Sequence, residues 1–364
     1  MAENKIRVLV VDDTVLYRKA LTDVLALIPN VEVVGSAGNG KIGLNKIEQL
    51  RPDLMTLDFE MPVMNGLQTL RELKKKNSDV AVIMVSAHTS AGAAVTMEAL
   101  ELGAYDFIAK PSGGSLEQNR EALLKQLKPV IQSVTTRRIL SRTLRKEPST
   151  PLPKKQAVAI PSPALSPAVP LKPAGRIDIV AVGISTGGPN ALAVMIPLFP
   201  KNLRTPVVIV QHMPPVFTKA MADSLDKKSS VHVKEAEQDE LIQAGCVYIA
   251  PGGKQMRLTR RAGGIAVDLT DDPPENHCRP AADYLFRSVS KLYDNRALGV
   301  IMTGMGSDGV LGLRLMKRRG ARVIGQDEAT CVVYGMPMEA SKAGVTDVVL
   351  PLARIAPEIV RMVN

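Results

Sequence analysis

The sequence predicts two α/β domains, each built on a doubly wound sheet, joined by a proline-rich tether. Three observations predict this. Residues 6–130 alternate short apolar runs with amphipathic stretches five times over, the pattern of β-α units that form a parallel sheet covered by helices on both faces. Residues 148–173 hold eight prolines among Ala, Ser and Lys. Proline fixes φ and removes a backbone donor, so this stretch reads as a semi-rigid extended linker. From residue 177 onward the α/β pattern resumes with strands of its own. A length of 364 residues accommodates two such domains at roughly 100–200 residues each.

In the first domain, strands are expected at 6–11, 31–37, 54–57, 80–86 and 106–108, giving a five-stranded parallel sheet. Apolar residues at helical spacing place helices at 15–27 and 66–76. A further helix runs from about 116 toward 144. In the second domain, strands are expected at 177–182, 207–211, 246–250, 298–303 and 322–325, a mainly parallel sheet. Residues 256–259 and 264–269 flank Arg260-Arg261-Ala262-Gly263 as a small antiparallel hairpin. Helices are expected at 189–198, 281–292 and 308–318. The expected division is 5–130, then a helix tail and basic linker over 131–175, then 176–364.

Composition narrows the function classes. With 45% hydrophobic and 23% charged residues, the chain can bury real cores. No apolar stretch reaches the ~20 residues of a membrane span, and Met1-Ala-Glu-Asn-Lys does not resemble a signal peptide. Cys246, Cys278 and Cys331 are scattered without CxxC spacing, which argues against a disulfide framework or a cysteine-built zinc site and for a reducing, cytoplasmic setting. The net charge is +10. Between Leu116 and Arg176, twelve Lys and Arg face three acids, a surplus of nine. Nearly all the excess thus lies in a helix tail and tether, where charge is ordinarily solvated, and no nucleic-acid partner is expected.

Two constellations carry chemistry. The first strand ends in Val11-Asp12-Asp13 and the third in Leu57-Asp58. Carboxyl ends of central strands open into one crevice at the topological switch point of a doubly wound sheet. Carboxylates gathered there repel one another unless a cation binds, and oxygen ligands suit Mg²⁺. Lys110, after the fifth strand, reaches the same crevice as a point charge for phosphate, and Ser86 ends the fourth with a hydroxyl. A carboxylate nucleophile, a metal and a lysine make a coherent aspartyl-phosphate site.

The second constellation begins at Gly183-Ile-Ser185-Thr186-Gly187-Gly188-Pro189, a strand entering a glycine turn and then a helix. Pro189 suits a first helical turn, so Ser185 is expected beside free amides at a helix N-terminus. A serine hydroxyl needs a base and an orienting acid. His212, at the exit of the strand ending in Gln211, offers the base. Asp308, in Thr303-Gly304-Met305-Gly306-Ser307-Asp308-Gly309, offers the acid, and the Met305 amide is placed to serve an oxyanion hole. The segment matches a GxSxG elbow literally, but that fold orders its triad Ser, acid, His, whereas here the order is Ser, His, Asp. The glycines fit neither GxGxxG nor a P-loop.

Asp12-Asp13, Asp58-x-x-Met61-Pro62-x-Met64-Asn65-Gly66, Ser86-Ala87 and Lys110-Pro111 resemble the response-regulator receiver family. The resemblance implies phosphorylation of Asp58, metal binding at Asp12, Asp13 and Asp58, and a switch pair of Ser86 and Phe107. Ser185-Thr186-Gly187-Gly188, Gln211-His212-Met213, Ala250-Pro251-Gly252-Gly253, Arg279-Pro280-x-x-Asp283 and the 303–309 segment resemble the chemotaxis methylesterase catalytic domain. Ala281 stands where that family usually has a serine. This second resemblance implies a Ser185–His212–Asp308 triad, with Thr186 and Met305 lining the site and Arg279 orienting an acidic or amide-bearing receptor segment or pairing with Asp271, Asp272 or Glu275. It implies hydrolysis of glutamate methyl esters on chemoreceptors, deamidation of receptor glutamines, a histidine kinase as phosphodonor, and no cofactor for the esterase. A non-catalytic scaffold with a decayed site is one rival reading, which the intact Ser-His-Asp set disfavours; a receiver coupled to a DNA-binding effector is the main one. The absence of an obvious helix-turn-helix counts against it.

Overall fold

The computed structural model describes residues 5–87, 89–111, 113–145 and 175–363, the stretch 136–145 by its backbone alone. The proline-rich tether and its basic residues Lys146, Lys154, Lys155 and Lys172 lie outside the described residues.

The first unit runs β1 (Ile6–Val11), α1 (Val15–Leu25), β2 (Val31–Ala37), α2 (Gly40–Leu50), β3 (Leu54–Asp58), α3 (Gly66–Lys75), β4 (Ala81–Ser86), α4 (Ser90–Leu102), β5 (Asp106–Ala109) and α5 (Leu116–Arg145). Its strands pair in parallel in the order β2-β1-β3-β4-β5. β3 is buried along its whole length, whereas edge strand β2 is only partly covered. A continuous apolar run therefore marks a central strand with helices on both faces. The order reverses at β1 and β3, which sets the ends of Val11 and Asp58 side by side.

The second unit runs β6 (Ile179–Ile184), α6 (Gly188–Met195), β7 (Val207–Gln211), α7 (Phe217–Asp226), β8 (His232–Glu235), β9 (Cys246–Ile249), β10 (Gln255–Arg261), β11 (Gly264–Thr270), α8 (Ala282–Tyr293), β12 (Ala297–Ile301), α9 (Val310–Arg318), β13 (Arg322–Gln326), α10 (Met336–Lys342), β14 (Val348–Leu350) and α11 (Leu352–Val363). Seven strands pair in parallel in the order β14-β13-β12-β6-β7-β9-β8, and β10 pairs antiparallel with β11 as a separate hairpin. Every residue of β6, β7 and β12 is buried. Neighbours β6 and β12 mark the switch point of this sheet, where α/β folds open a crevice beyond the strand ends.

Several boundaries move. The helix expected over 189–198 stops at Met195 and tightens into a 3₁₀ turn, Ile196–Leu198, because Pro197 has no amide to continue the ladder. The strand expected at 177–182 pairs two residues later, at Ile179–Ile184, in register with Val180↔Val207 through Ile184↔Gln211. The hairpin pairs further than expected, to Arg261↔Gly264, leaving a two-residue Ala262-Gly263 turn.

The two units pack directly on one another, α4 lying against α7 and α6. The ring of Phe107, in β5, stacks on Phe217. Asn190 donates its side-chain amide to the Ala104 carbonyl at 3.1 Å. Ser224 donates to Glu101 at 2.6 Å, and Lys228 forms an ion pair with the same carboxylate. The buried Asp106 carboxylate accepts from the backbone amide of Gly187, in the loop that carries Ser185.

Candidate active site

The phosphoryl-acceptor constellation assembles from three strand ends. Asp12 and Asp58 are buried, and oxygens of Asp12, Asp13 and Asp58 lie within 4.8 Å of one another. The Lys110 ammonium bridges Asp12 at 3.1 Å and Asp58 at 2.8 Å. Backbone amides of Thr14 and Phe59 donate to Asp12 and Asp58, each at 2.8 Å. Burial pushes the Asp58 carboxyl up to about 6, against the pull of Lys110 and with the push of Asp12. Such a crowded, partly neutralised carboxylate set suits a hard divalent cation. Asp13 is exposed at the rim. The Ser86 hydroxyl accepts from Thr96 Oγ1 at 2.8 Å and donates to the Gly92 carbonyl at 3.2 Å, so it is engaged with α4. Phe107 is half-buried at the contact between units.

In the second unit the three candidates sit beyond the ends of β6, β7 and β12. His212 Nε2 is 2.7 Å from Asp308 Oδ2. Ser185 follows Ile184, whose register partner Gln211 precedes His212, so the two side chains leave neighbouring strand ends together. Gln211 fixes both backbones by donating to the Ser185 and His212 carbonyls at 3.0 and 3.2 Å. Among the described residues, the Ser185 hydroxyl makes no hydrogen bond to the His212 ring; Nδ1 instead faces Cys278 Sγ at 3.6 Å. The structure thus pairs His212 with Asp308 and sets Ser185 beside them.

Asp308 is 3% exposed and nonetheless holds a carboxyl below its ordinary value. Burial acts to raise it, but the hydrogen bonds it accepts outweigh that effect. Oδ2 accepts from His212 and from the Ala282 amide at 2.6 Å; Oδ1 accepts from Asn276 at 2.8 Å and the Asp283 amide at 3.1 Å. Asp308 therefore also caps the start of α8, where an anion is favoured. Ala281, the N-cap of α8, has no side chain for that task, and Asp308 fills it from another element. For His212, burial would lower the ring, but Asp308 and the Cys278 thiol raise it to about 9.

Glycine is required where backbones meet. A Cβ on Gly304 would stand 2.7 Å from Ser185 Cβ, which shows how tightly the 303–306 loop lies against the serine. Gly187 takes φ 75 and a Cβ there would stand 2.4 Å from Val332. Among the described residues, neither the Thr186 nor the Met305 amide donates a hydrogen bond, so both remain available to an oxyanion. Met305 is 45% exposed. Arg279 is exposed and donates to the Asp271 carbonyl at 3.3 Å. The acids that were candidate partners for it are engaged elsewhere: Asp271 with Lys254, Asp272 with Tyr284, Glu275 with Arg287. Sequence reasoning did not single out Asn276 or Cys278. Their only signal was adjacency to Arg279-Pro280.

Comparison with known proteins places these features in a family. The CheB methylesterase model matches residues 180–359, and the response regulator receiver domain model matches residues 8–121. A protein-glutamate methylesterase/protein-glutamine glutaminase of Desulfotalea psychrophila is 50% identical over 362 residues, covering 99% of each chain. The Bacillus subtilis protein of that name is 46% identical over 364 residues, again covering 99% of each. The crystal structure of the Thermotoga maritima CheB methylesterase catalytic domain aligns at 41% identity and a TM-score of 0.50, covering 52% of this chain and all of that one. Two α/β units with these strand-end constellations and full-length relatives at this identity establish that the chain belongs to the CheB methylesterase family and carries a response-regulator receiver.

Proposed function

We propose that this chain is a receiver-controlled protein-glutamate methylesterase and glutaminase, with its division into receiver, linker and catalytic domain at 5–130, 131–175 and 176–364. The observation that carries the reading is the 2.7 Å His212–Asp308 pair beside Ser185 at the switch point of the second sheet. Ser185 attacks the γ-carbonyl of a methylated receptor glutamate, and His212 takes its proton on Nδ1 while Nε2 stays bonded to Asp308. The Thr186 and Met305 amides stabilise the oxyanion, and Arg279 orients an acidic receptor segment. Methanol leaves with the proton returned by His212, and water then resolves the acyl-enzyme to glutamate. The same chemistry with ammonia leaving converts glutamine to glutamate.

Control belongs to the first unit. Asp12, Asp13 and Asp58 would hold Mg²⁺, which supplies charge neutralisation for phosphoryl transfer from a histidine kinase to Asp58. Lys110 binds the phosphoryl group, and Ser86 with Phe107 responds to it. The packed arrangement, with Asp106 on the Gly187 amide, is the resting one; phosphorylation shifts the population toward an open one. Among the described residues no helix is long and apolar enough to cross a membrane, and a cytoplasmic chain reaching the cytoplasmic helices of chemoreceptors fits the three free cysteines.

The test is methanol release from methylated receptor fragments by wild type and Ser185→Ala, with and without acetyl phosphate. The expected result is release that requires Ser185 and rises with the phosphodonor. Equal release by the alanine variant would overturn the assignment of the nucleophile.

A further inference from the structure

The geometry points to a second use of the catalytic pocket: an inhibitory site for a thiophilic divalent cation such as Zn²⁺, bound between His212 Nδ1 and Cys278 Sγ. Three observations meet there. First, Sγ and Nδ1 are 3.6 Å apart. Ligands at about 2.3 Å (sulfur) and 2.0 Å (nitrogen) on a tetrahedral ion stand roughly 3.5 Å from one another. The resting pocket thus holds two ligand atoms at nearly the spacing the ion needs.

Second, the other ring nitrogen is bonded to a carboxylate, Asp308 Oδ2 at 2.7 Å. A metal-binding histidine commonly hands its remaining N–H to a carboxylate, which fixes the tautomer and raises ligand basicity. With the proton on Nε2, the Nδ1 lone pair faces Cys278. Third, a ligand atom from each of His212, Cys278 and the buried Asp308 lies within 4.8 Å of the other two, so a carboxylate stands beside the two proposed ligands. Cys278 is only half-buried, so the ion can enter from solvent and keep water in its remaining positions.

On binding, the Cys278 thiol loses its proton to solvent and forms the metal–sulfur bond, and an imidazolium at His212 likewise releases its Nδ1 proton to solvent so that the lone pair can bind the ion. The ion takes the lone pair that would accept the Ser185 proton, so binding and ester hydrolysis exclude each other. Imidazole and thiolate select Zn²⁺ over Mg²⁺, which separates this site from the oxygen-only receiver site. The inhibition rests on His212 being the base; the binding does not.

The test uses the full-length chain in saturating Mg²⁺, titrated with Co²⁺ as a spectroscopic probe and separately with Zn²⁺. Wild type and Ser185→Ala are expected to develop thiolate-to-cobalt charge-transfer absorption, and Cys278→Ser is expected to lose it. Relative to each variant's own rate in chelator, half-inhibition of Cys278→Ser should need at least about tenfold more Zn²⁺ than wild type. No charge-transfer absorption in wild type, or absorption and Zn²⁺ sensitivity that persist unchanged in Cys278→Ser, would overturn the proposal. Because the cobalt signal needs no turnover, failure of the methylesterase reading would leave it standing.

Discussion

The ring of Phe107 stacks on the ring of Phe217, with centroids 4.7 Å apart and 26° between the planes. Phe107 lies in the last strand of the receiver, and Phe217 opens α7 of the catalytic unit, so the aromatic member of the proposed switch pair rests on the domain it would control. An aromatic pair contributes about 0.5–1.5 kcal/mol beyond area burial. Phe217→Leu keeps most of the apolar volume, at a cost usually below about 1.5 kcal/mol. Its unphosphorylated methanol release should rise by roughly three- to tenfold, by the conversion of about 1.4 kcal/mol per tenfold, and its stimulation by acetyl phosphate should shrink. An unchanged ratio of stimulated to basal release, with a melting curve like that of wild type, would remove the stack from the switching path.

Asp106 supplies a second contact of a different kind. Its carboxylate is buried where the units meet, accepting from its neighbour Phe107 at 2.8 Å and from the Gly187 amide. Burial pushes this carboxyl up to about 6, against the pull of both amides. An acid whose value is raised in the packed state favours packing most below its ordinary value near 3.8, and that contribution fades as pH rises through 6. The packed population should therefore fall between about pH 4 and 6 in wild type. Asp106→Asn keeps the acceptor oxygen without the charge, and should flatten that pH dependence and lower basal release several-fold. Small-angle scattering across this pH range reads the first effect; a wild-type profile already flat would sink the idea.

The Glu101 contacts should matter less. Lys228 and Glu101 are 40% and 37% exposed, and exposed pairs contribute about 0–1 kcal/mol. Lys228→Ala should raise basal release less than about threefold, and 0.5 M salt, an ionic strength of about half molar at which screening acts within roughly 4–5 Å, should mimic it in wild type. A larger effect would mean that this edge of the contact, rather than Phe107 and Asp106, holds the units together.

How far the sequence reaches is clear from particular residues. Strands such as Leu54–Asp58 and Val207–Gln211 were legible because a fully buried parallel strand is a continuous apolar run closed by a polar residue. β8 was not, because His232–Glu235 buries only Val233 and reads as a charged loop. Helix α11 carries Pro357 in its interior, which in a sequence argues for a break. The strand-end residues Ser185, His212 and Asp308 stand out because glycine turns follow two of those strands. Asn276 and Cys278 do not, since their roles depend on a loop folding back onto a strand end 66 residues earlier in the chain. The contact of Phe107 with Phe217 is likewise beyond any local pattern, being set by how two separately folded sheets dock.

The His212 ring yields the last prediction. Burial alone would lower it, yet Asp308 and Cys278 raise it to about 9 from an ordinary 6.5. A histidine raised in the folded state contributes stability that is fully present below about 6.5 and is lost as pH climbs through 9. Wild-type melting temperature should therefore decline from pH 6.5 to 9 more steeply than that of His212→Gln, measured with chelator present. Activity runs the other way, because a general base must be neutral. Methanol release should climb across the same interval, and Cys278→Ser, which removes one of the two groups raising the ring, should move the climb toward lower pH. Asp308→Asn removes the other and leaves Nε2 without its anion. It should cut the rate by orders of magnitude rather than shift the profile, as loss of the orienting acid does in serine hydrolases generally. A profile centred near 6.5 in wild type and unmoved in Cys278→Ser would show that the thiol does not act on the base.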